Sequence, residues 1–289
     1  MAASLCSEVL GVPLALGEVC RVEQTVAQAL DLPVQEARAY VQAQDANVDE
    51  TTWWEQVRRS YLWVAVTQWV SVFVIRASRG AKVLWELLGE EYGAVLTSDR
   101  AKAYNCQPLR RRQLCWAHLR RDFQAMIDRG GAGVAVGERL LEYSNVLFEW
   151  WHWVRDGTWA RATLQRSVQT LRGAVREELA AGTRCECPKT AATCRELLAV
   201  EPALWTFVRV EGIDPTNNAA ERGLRHAVQW RKTSYGTESA VGSHFVENIL
   251  TVVATCRQQE RNVLDYLTQC CQALYAGTEP PSLLPPTSS

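Results

Sequence analysis

The 289-residue sequence lacks any run of eighteen or more apolar residues, and its start, "MAASLCSEVLGVPLALGEVC", has no basic stretch ahead of an apolar one. The first absence argues against a membrane-spanning helix, the second against a secretory signal. An excess of charge is also missing: 31 Lys and Arg stand against 32 Asp and Glu, for a net charge of −1. A protein so balanced does not bind nucleic acid through bulk charge alone. Its ten cysteines are scattered over a long chain, a usage that fits reduced thiols in a cytosolic protein rather than a disulfide framework. Cys185, Cys187 and Cys194 in "CECPKTAATC" form no Cys-x-x-Cys pair and have no fourth ligand nearby. They read as ordinary thiols rather than zinc ligands. Internal repeats are absent.

What is there suits a globular fold. The hydrophobic fraction is 47% and the charged fraction 22%, enough for one large domain or two ordinary ones. The charge is unevenly placed. "RRRQLCWAHLRR" (Arg110 to Arg121) and "RGLRHAVQWRK" (Arg222 to Lys232) are strongly basic. Two such segments make a phosphate-binding face if the fold joins them, and two solvated surfaces if it does not.

The first forty residues read as helix, with "GVPLALGEVCRVEQTVAQAL" as a short turn between helices. "ANVDE" is a short strand. Tyr61 to Thr67 and Val70 to Arg76 are two β-branched and aromatic runs around a tight turn, which predicts antiparallel pairing. "GAKVLWELLGEEYG" is an amphipathic helix with Val83, Leu84, Leu87 and Leu88 on one side. "GAVLTSD" and "RRQLCWA" are brief buried-strand patterns. From Phe123 to Phe207 the period is helical, and Ala219 to Trp230, Val241 to Arg257 and Val263 to Leu274 are three further helices. This order predicts an α/β fold: a mixed sheet of about five strands, an antiparallel meander followed by two parallel strands. The twelve tryptophans read as core residues rather than as platforms for bases.

Three carboxylates stand out. Asp99 follows the apolar strand "AVLTS", the place where open α/β sheets bind ligands; as a plain N-cap for a helix at "RAKAY" it needs no function. Asp49 ends the first strand, in competition with Asp45 and Glu50, and alternation sends Asp49 and Glu50 to opposite faces. Glu221, with Asn218 as N-cap, fits a capping box and stands four residues before Arg225, an ion-pair spacing. Convergent carboxylates of this kind otherwise call for a hard divalent cation such as Mg²⁺ or Mn²⁺, which can promote phosphodiester chemistry.

"DET", "LWVAVT", "SDRAKAYN", "RRQLCWAHLRRDFQA", "EPALWTFV", "PTNNAAERGLR", "GSHFVENILTVVATCRQQ" and "NVLDYL" closely resemble, in order, the transposases of the insertion-sequence-66 family, over roughly Glu8 to Leu274. The resemblance implies a DDE-superfamily, ribonuclease H-like catalytic domain that cuts and joins DNA at element ends with Mg²⁺ or Mn²⁺. It implies Asp49, Asp99 and Glu221 as catalytic metal ligands, a homo-oligomer assembled on DNA, and a cytoplasmic, nucleoid-associated location. Cys115 and His118 match a Cys-x-x-His motif of related transposases. Two soft ligands do not make a zinc site, so Cys115 is assigned to packing and His118, a helical turn from Asp122, to supporting the site or touching DNA. Arg100, Lys102, Arg120, Arg121, Arg222 and Arg225 are the candidate phosphate contacts by their nearness in sequence to the motifs. The expected layout is a helical remnant of an amino-terminal DNA-binding region (1–43), a ribonuclease H-like core (44–124 and 212–275), a helical insertion (125–211) and a disordered tail (276–289). Thr52 stands where the family has glycine, and the family's longer amino-terminal region is absent from the sequence. Two alternatives therefore accompany the reading: a catalytically silent DNA-binding remnant, and a ribonuclease H-like nuclease of other specificity.

Overall fold

The computed structural model describes residues 7, 8, 11–13 and 15–285. They form two compact units, Met1–Ala94 with Asn218–Ser289, and Val95–Asn217. The first unit opens on α1 (Leu16–Val41), a continuous helix through the stretch where a turn was expected. Leu30, Val34, Ala37 and Val41 recur at helical spacing and are all buried. That stripe carries the helix past Pro33, although the ring removes one backbone hydrogen bond.

β1 (Ala46–Glu55), β2 (Arg58–Val66) and β3 (Ser71–Arg76) make the expected antiparallel meander. β1 has ten residues, twice the length of "ANVDE". Asp49 therefore lies inside the strand, opposite Val64, and not at its end. The polar run from Asp49 to Thr52 hid the continuation, because it interrupts the apolar alternation that marks a half-buried strand. β1 and β2 are joined by two residues, Gln56 and Val57, with Gln56 at a φ of 54°. Next comes α2 (Ala81–Leu88), which buries Val83, Leu84, Leu87 and Leu88 as expected.

Three carboxyl-terminal helices complete this unit: α8 (Asn218–Ser234), α9 (Ala240–Gln258) and α10 (Val263–Ala276), numbered after those of the second unit. Trp53, Leu62, Val64, Phe73, Ile75, Ala220, Leu224, Val246 and Leu250 form the core between sheet and helices. α9 also closes the outer edge of β3. Glu247 Oε1, Thr251 Oγ1 and Thr255 Oγ1 accept the amides of Ile75, Phe73 and Ser71 at 2.6, 3.0 and 3.1 Å. The spacing explains the fit: two strand residues rise ~6.8 Å and four helical residues ~6.0 Å, so successive helical turns meet successive edge amides. An edge that would otherwise recruit another strand is thereby satisfied.

The tail packs as well. Leu283 is fully buried, Tyr266 Oη donates to the Pro281 carbonyl, and Arg261 donates to that of Ser282. The disorder expected from the Pro- and Ser-rich composition thus gives way to a buried leucine and these anchors through Leu283; 286–289 lie outside the described residues.

The second unit holds two short parallel strands, β4 (Leu96–Ser98) and β5 (Arg112–Leu114). Five helices follow: α3 (Trp116–Asp128), α4 (Val134–Arg155), α5 (Arg161–Gly182), α6 (Pro188–Ala199) and α7 (Thr206–Arg209). Their core gathers Leu119, Phe123, Leu147, Leu164, Val175 and Leu197 around aromatic pairs. Trp116 meets Trp205 edge-on at 5.1 Å, and Trp151 meets Phe207 at 5.4 Å. Gln113, fully buried on β5, is satisfied by the Leu114 and Leu204 carbonyls and the Phe207 amide. The strand order is β3-β2-β1-β4-β5, a mixed five-stranded sheet, and the class is α/β as expected. Among the described residues no helix is long and apolar enough to cross a membrane.

Candidate active-site carboxylates and basic surface

Asp49 and Glu221 belong to the first unit, on elements that pack together, since α8 lies on β1 and β2. Gly223 permits the approach: a Cβ there would meet Val66 Cγ2 at 3.3 Å and Val64 Cγ2 at 3.6 Å. Arg231, near the end of α8, donates to Thr51 Oγ1 at 3.1 Å and to the Thr52 carbonyl, so the helix is tied to β1 two and three residues past Asp49. Half-buried Asp49 has one carboxylate oxygen held by the Glu50 amide at 2.8 Å. Glu50 is 8% exposed and paired with Arg79. That pairing separates the two acids: Glu50 balances a cation of its own unit, on the face opposite Asp49.

Glu221 lies between the buried stripe of α8 (Ala220, Leu224, Ala227) and its exposed face (Arg222, Arg225, His226). The helix begins at Asn218, so Asn218 is its first residue rather than its cap, and the capping-box register expected for Glu221 moves by one. The expected Glu221–Arg225 ion pair does not form, because among the described residues Arg225 is exposed and makes no ion pair.

In the second unit, Asp99 directly follows β4, as the sequence indicates. Its Oδ1 accepts the Ala101 amide at 2.8 Å and starts a turn. The short helix expected at "RAKAY" is a 3₁₀ helix, Lys102–Cys106, with Ala101 rather than Asp99 at its cap. Arg112 fixes this corner, a role the sequence reading missed. Its guanidinium donates to the Asp99 carbonyl at 3.0 Å and to Asn105 Oδ1 at 2.8 Å, and lies 6.0 Å from the Tyr104 ring. Arg112 is 1% exposed, and burial pulls its pKa down against the field of Asp99. The only signal for it was a base on a short, otherwise apolar strand pattern.

Cys115 caps α3 and its Sγ accepts the Asn217 amide at 3.1 Å, while the Trp116 amide donates to the Pro215 carbonyl at 2.9 Å. The packing role expected of Cys115 thus includes holding the segment that runs into α8. His118 Nε2 lies 3.4 Å from Arg121. The His118–Asp122 hydrogen bond does not form: Asp122 is taken by Arg100 at 2.9 Å, and Arg100 also pairs with Glu196 at 2.8 Å. Burial raises the Asp122 pKa, opposed by Arg100. Of the candidate phosphate contacts, Arg100 is held by these two acids. Arg120 donates to Ser144 Oγ at 3.2 Å and lies 5.3 Å from the Phe148 ring. Lys102, Arg222 and Arg225 are exposed, and Arg121 faces His118.

The thiols at 185–194 sit in contrasting surroundings. Cys194 packs on Gly182, where a Cβ would fall 2.5 Å from Sγ, and burial pushes its pKa up to about 11. Cys187 caps α6, and the neighbouring Thr190 hydroxyl and amide bring its thiol down to about 7. The three do not gather as a metal-ligand group among the described residues.

An α/β unit with acids beside a basic helix is the kind of scaffold on which DNA-processing enzymes are built. The model of the IS66 family of transposases matches residues 3–244, and the chain belongs to that family. It is thus placed among enzymes that act on DNA. No curated protein and no solved structure matches the chain.

Proposed function

We propose that this chain is a DDE-type transposase with a ribonuclease H-like core, in which Asp49, Asp99 and Glu221 work together to cut and join DNA at insertion-sequence ends. The observation that carries the reading is the family match from 3 to 244, which takes in all three acids. The strand order, with an antiparallel meander beside a parallel pair, supports the core assignment. The donor chemistry fits Mg²⁺ or Mn²⁺: the set is three carboxylates, and Asp49 and Asp99 are each oriented by a backbone amide. Asp49, Asp99 and Glu221 would hold such cations, whose charge would activate the attacking oxygen and stabilise the leaving oxygen of a phosphodiester.

The chain's own residues do the positioning. Arg112 and the Ala101 amide hold Asp99 in place. Arg231 ties α8, with Glu221, to the strand that bears Asp49, and Gly223 lets the helix lie close on the neighbouring β2. Arg222, Arg225 and Lys102 neutralise phosphates of the bound DNA. In the first reaction a water oxygen bonds to phosphorus as the bond to the 3′ oxygen breaks and that oxygen leaves as a hydroxyl. In the second, this 3′ oxygen bonds to a target phosphorus, the bond from that phosphorus to the target's own 3′ oxygen breaks, and the proton of the attacking hydroxyl passes through solvent to the leaving oxygen. The chain acts as an oligomer on DNA. The test is incubation with DNA carrying element ends and Mg²⁺ or Mn²⁺. Nicked and joined products from wild type, lost in Asp49→Asn and Asp99→Asn, support the reading. Binding without cleavage identifies a silent remnant, and cleavage of structured DNA or RNA without joining identifies a nuclease; either result rejects transposition.

A further inference from the structure

Among the described residues Trp54, Trp69, Trp85, Tyr235 and Tyr275 are the exposed large aromatics, and two of them flank the tip of the β1–β2 hairpin. Trp54 is 43% exposed and Tyr235, in the α8–α9 connection, 82% exposed. Neither ring has a ring contact or a side-chain hydrogen bond among the described residues. The backbone beneath them is tightly held. The Gln56 amide donates to the Thr237 carbonyl at 2.7 Å, and the Thr237 amide to the Trp54 carbonyl at 2.9 Å. Trp53 Nε1 donates to Thr237 Oγ1 at 3.2 Å. Gly236, at a φ of 117°, passes so close that a Cβ would lie 2.1 Å from the Trp54 carbonyl oxygen. The exposed rings are therefore carried on a tied backbone corner.

The corner is also positively charged. Arg58 and Arg59 are exposed, Arg59 is directly opposite Trp54 in the hairpin, and its guanidinium lies 5.6 Å from the Tyr61 ring. The acid of the hairpin, Glu55, is engaged by Ser243 Oγ, which leaves Glu238 as the exposed acid of the α8–α9 connection. From this corner the outer face of α8 runs back toward Glu221 through Lys232, Gln229, His226, Arg225 and Arg222, all exposed. These positions recur at helical spacing, so they form one stripe, and ten residues of helix span ~15 Å.

We propose that this face is a DNA-strand track: the α8 stripe follows the phosphates away from Glu221, and Trp54, with Tyr235 beside it, stacks on an unpaired base at the far end. The inference rests on the proposed action on DNA and adds the location and kind of contact. Charge complementarity selects a polyanion, and exposed rings beside arginines suit a base splayed from its stack. A paired duplex offers phosphates to the stripe but no open base to Trp54.

The test measures binding of the full chain to a forked DNA with unpaired bases and to a blunt duplex of the same sequence, over a salt series. Trp54→Ala should weaken binding to the fork by about 5- to 150-fold, the range for losing one base–aromatic stack. The salt slope should stay unchanged, blunt-duplex binding should be nearly unaffected, and Trp54→Phe should recover most of the loss. Tyr235→Asn, at a φ of 61° that Asn tolerates, should give a smaller loss in the same direction and covers the case in which Trp54→Ala misfolds. Lys232→Ala should weaken both DNAs and lower the salt slope by about 1. A 2-aminopurine base in the fork should be quenched by wild type and not by Trp54→Ala. Equal binding of the fork by wild type, Trp54→Ala and Tyr235→Asn overturns the track, as does an equal loss on fork and duplex. Failure of wild type to bind either DNA overturns the DNA reading itself.

Discussion

Thr251→Val tests the way α9 seals the sheet. Valine matches threonine in shape and suits the buried site, so the substitution removes one oxygen and little else. That oxygen accepts the Phe73 amide at 3.0 Å, and Thr251 is fully buried. Water cannot replace it, so the amide loses its partner at a cost of about 1–3 kcal/mol. Thr255→Val should cost at least as much, because Thr255 Oγ1 both accepts from the Ser71 amide and donates to the Ser71 carbonyl, each at 3.1 Å. Thr268→Val, which removes an exposed bond to the Leu264 carbonyl, serves as the control and should stay within about 0.5 kcal/mol of wild type. Urea denaturation followed by far-ultraviolet circular dichroism gives the global effect, and amide hydrogen exchange at Phe73 the local one. Thr251→Val with wild-type stability and unchanged protection at Phe73 would refute the edge-sealing argument.

Other consequences concern the α8–α9 connection and the thiols. Gly236→Ala should destabilise the protein by more than about 2 kcal/mol, since the new methyl would overlap the Trp54 carbonyl and the backbone adopts a glycine conformation; a melting temperature equal to wild type would contradict this. Alkylation of Cys187 by iodoacetamide should rise with pH through a midpoint near 7, because Thr190 stabilises the thiolate, and Thr190→Val should move the midpoint upward. A wild-type midpoint at that of an ordinary thiol would show that Thr190 does not stabilise the thiolate. Cys194, held up at about 11 by burial, should stay unmodified until the protein unfolds.

Several of these elements were legible in the sequence because one strong periodicity governs them. Val83, Leu84, Leu87 and Leu88 announce α2, and the apolar run before Asp99 places that acid just past β4. Elements set by polar partners were not. The second half of β1 was hidden behind Asp49 to Thr52, and the Glu247, Thr251, Thr255 series looks like polar interruptions in an apolar helix until β3 is laid beside it. The roles of Arg112 and Asp122 depend on groups far away in the chain, the Asp99 carbonyl and Arg100, which no local spacing reveals. The start of α8 was misjudged by one residue, enough to undo the capping-box reading of Glu221.

The central claim is that Glu221 serves chemistry rather than helix stability, and Glu221→Gln tests it most directly. The amide keeps the size of the side chain but is a poorer ligand for a hard cation. The assay is cleavage of DNA carrying element ends, titrated with Mn²⁺, alongside DNA affinity and melting temperature. The account predicts cleavage reduced to background, with affinity and melting temperature close to wild type. Wild-type cleavage by the glutamine variant would contradict it.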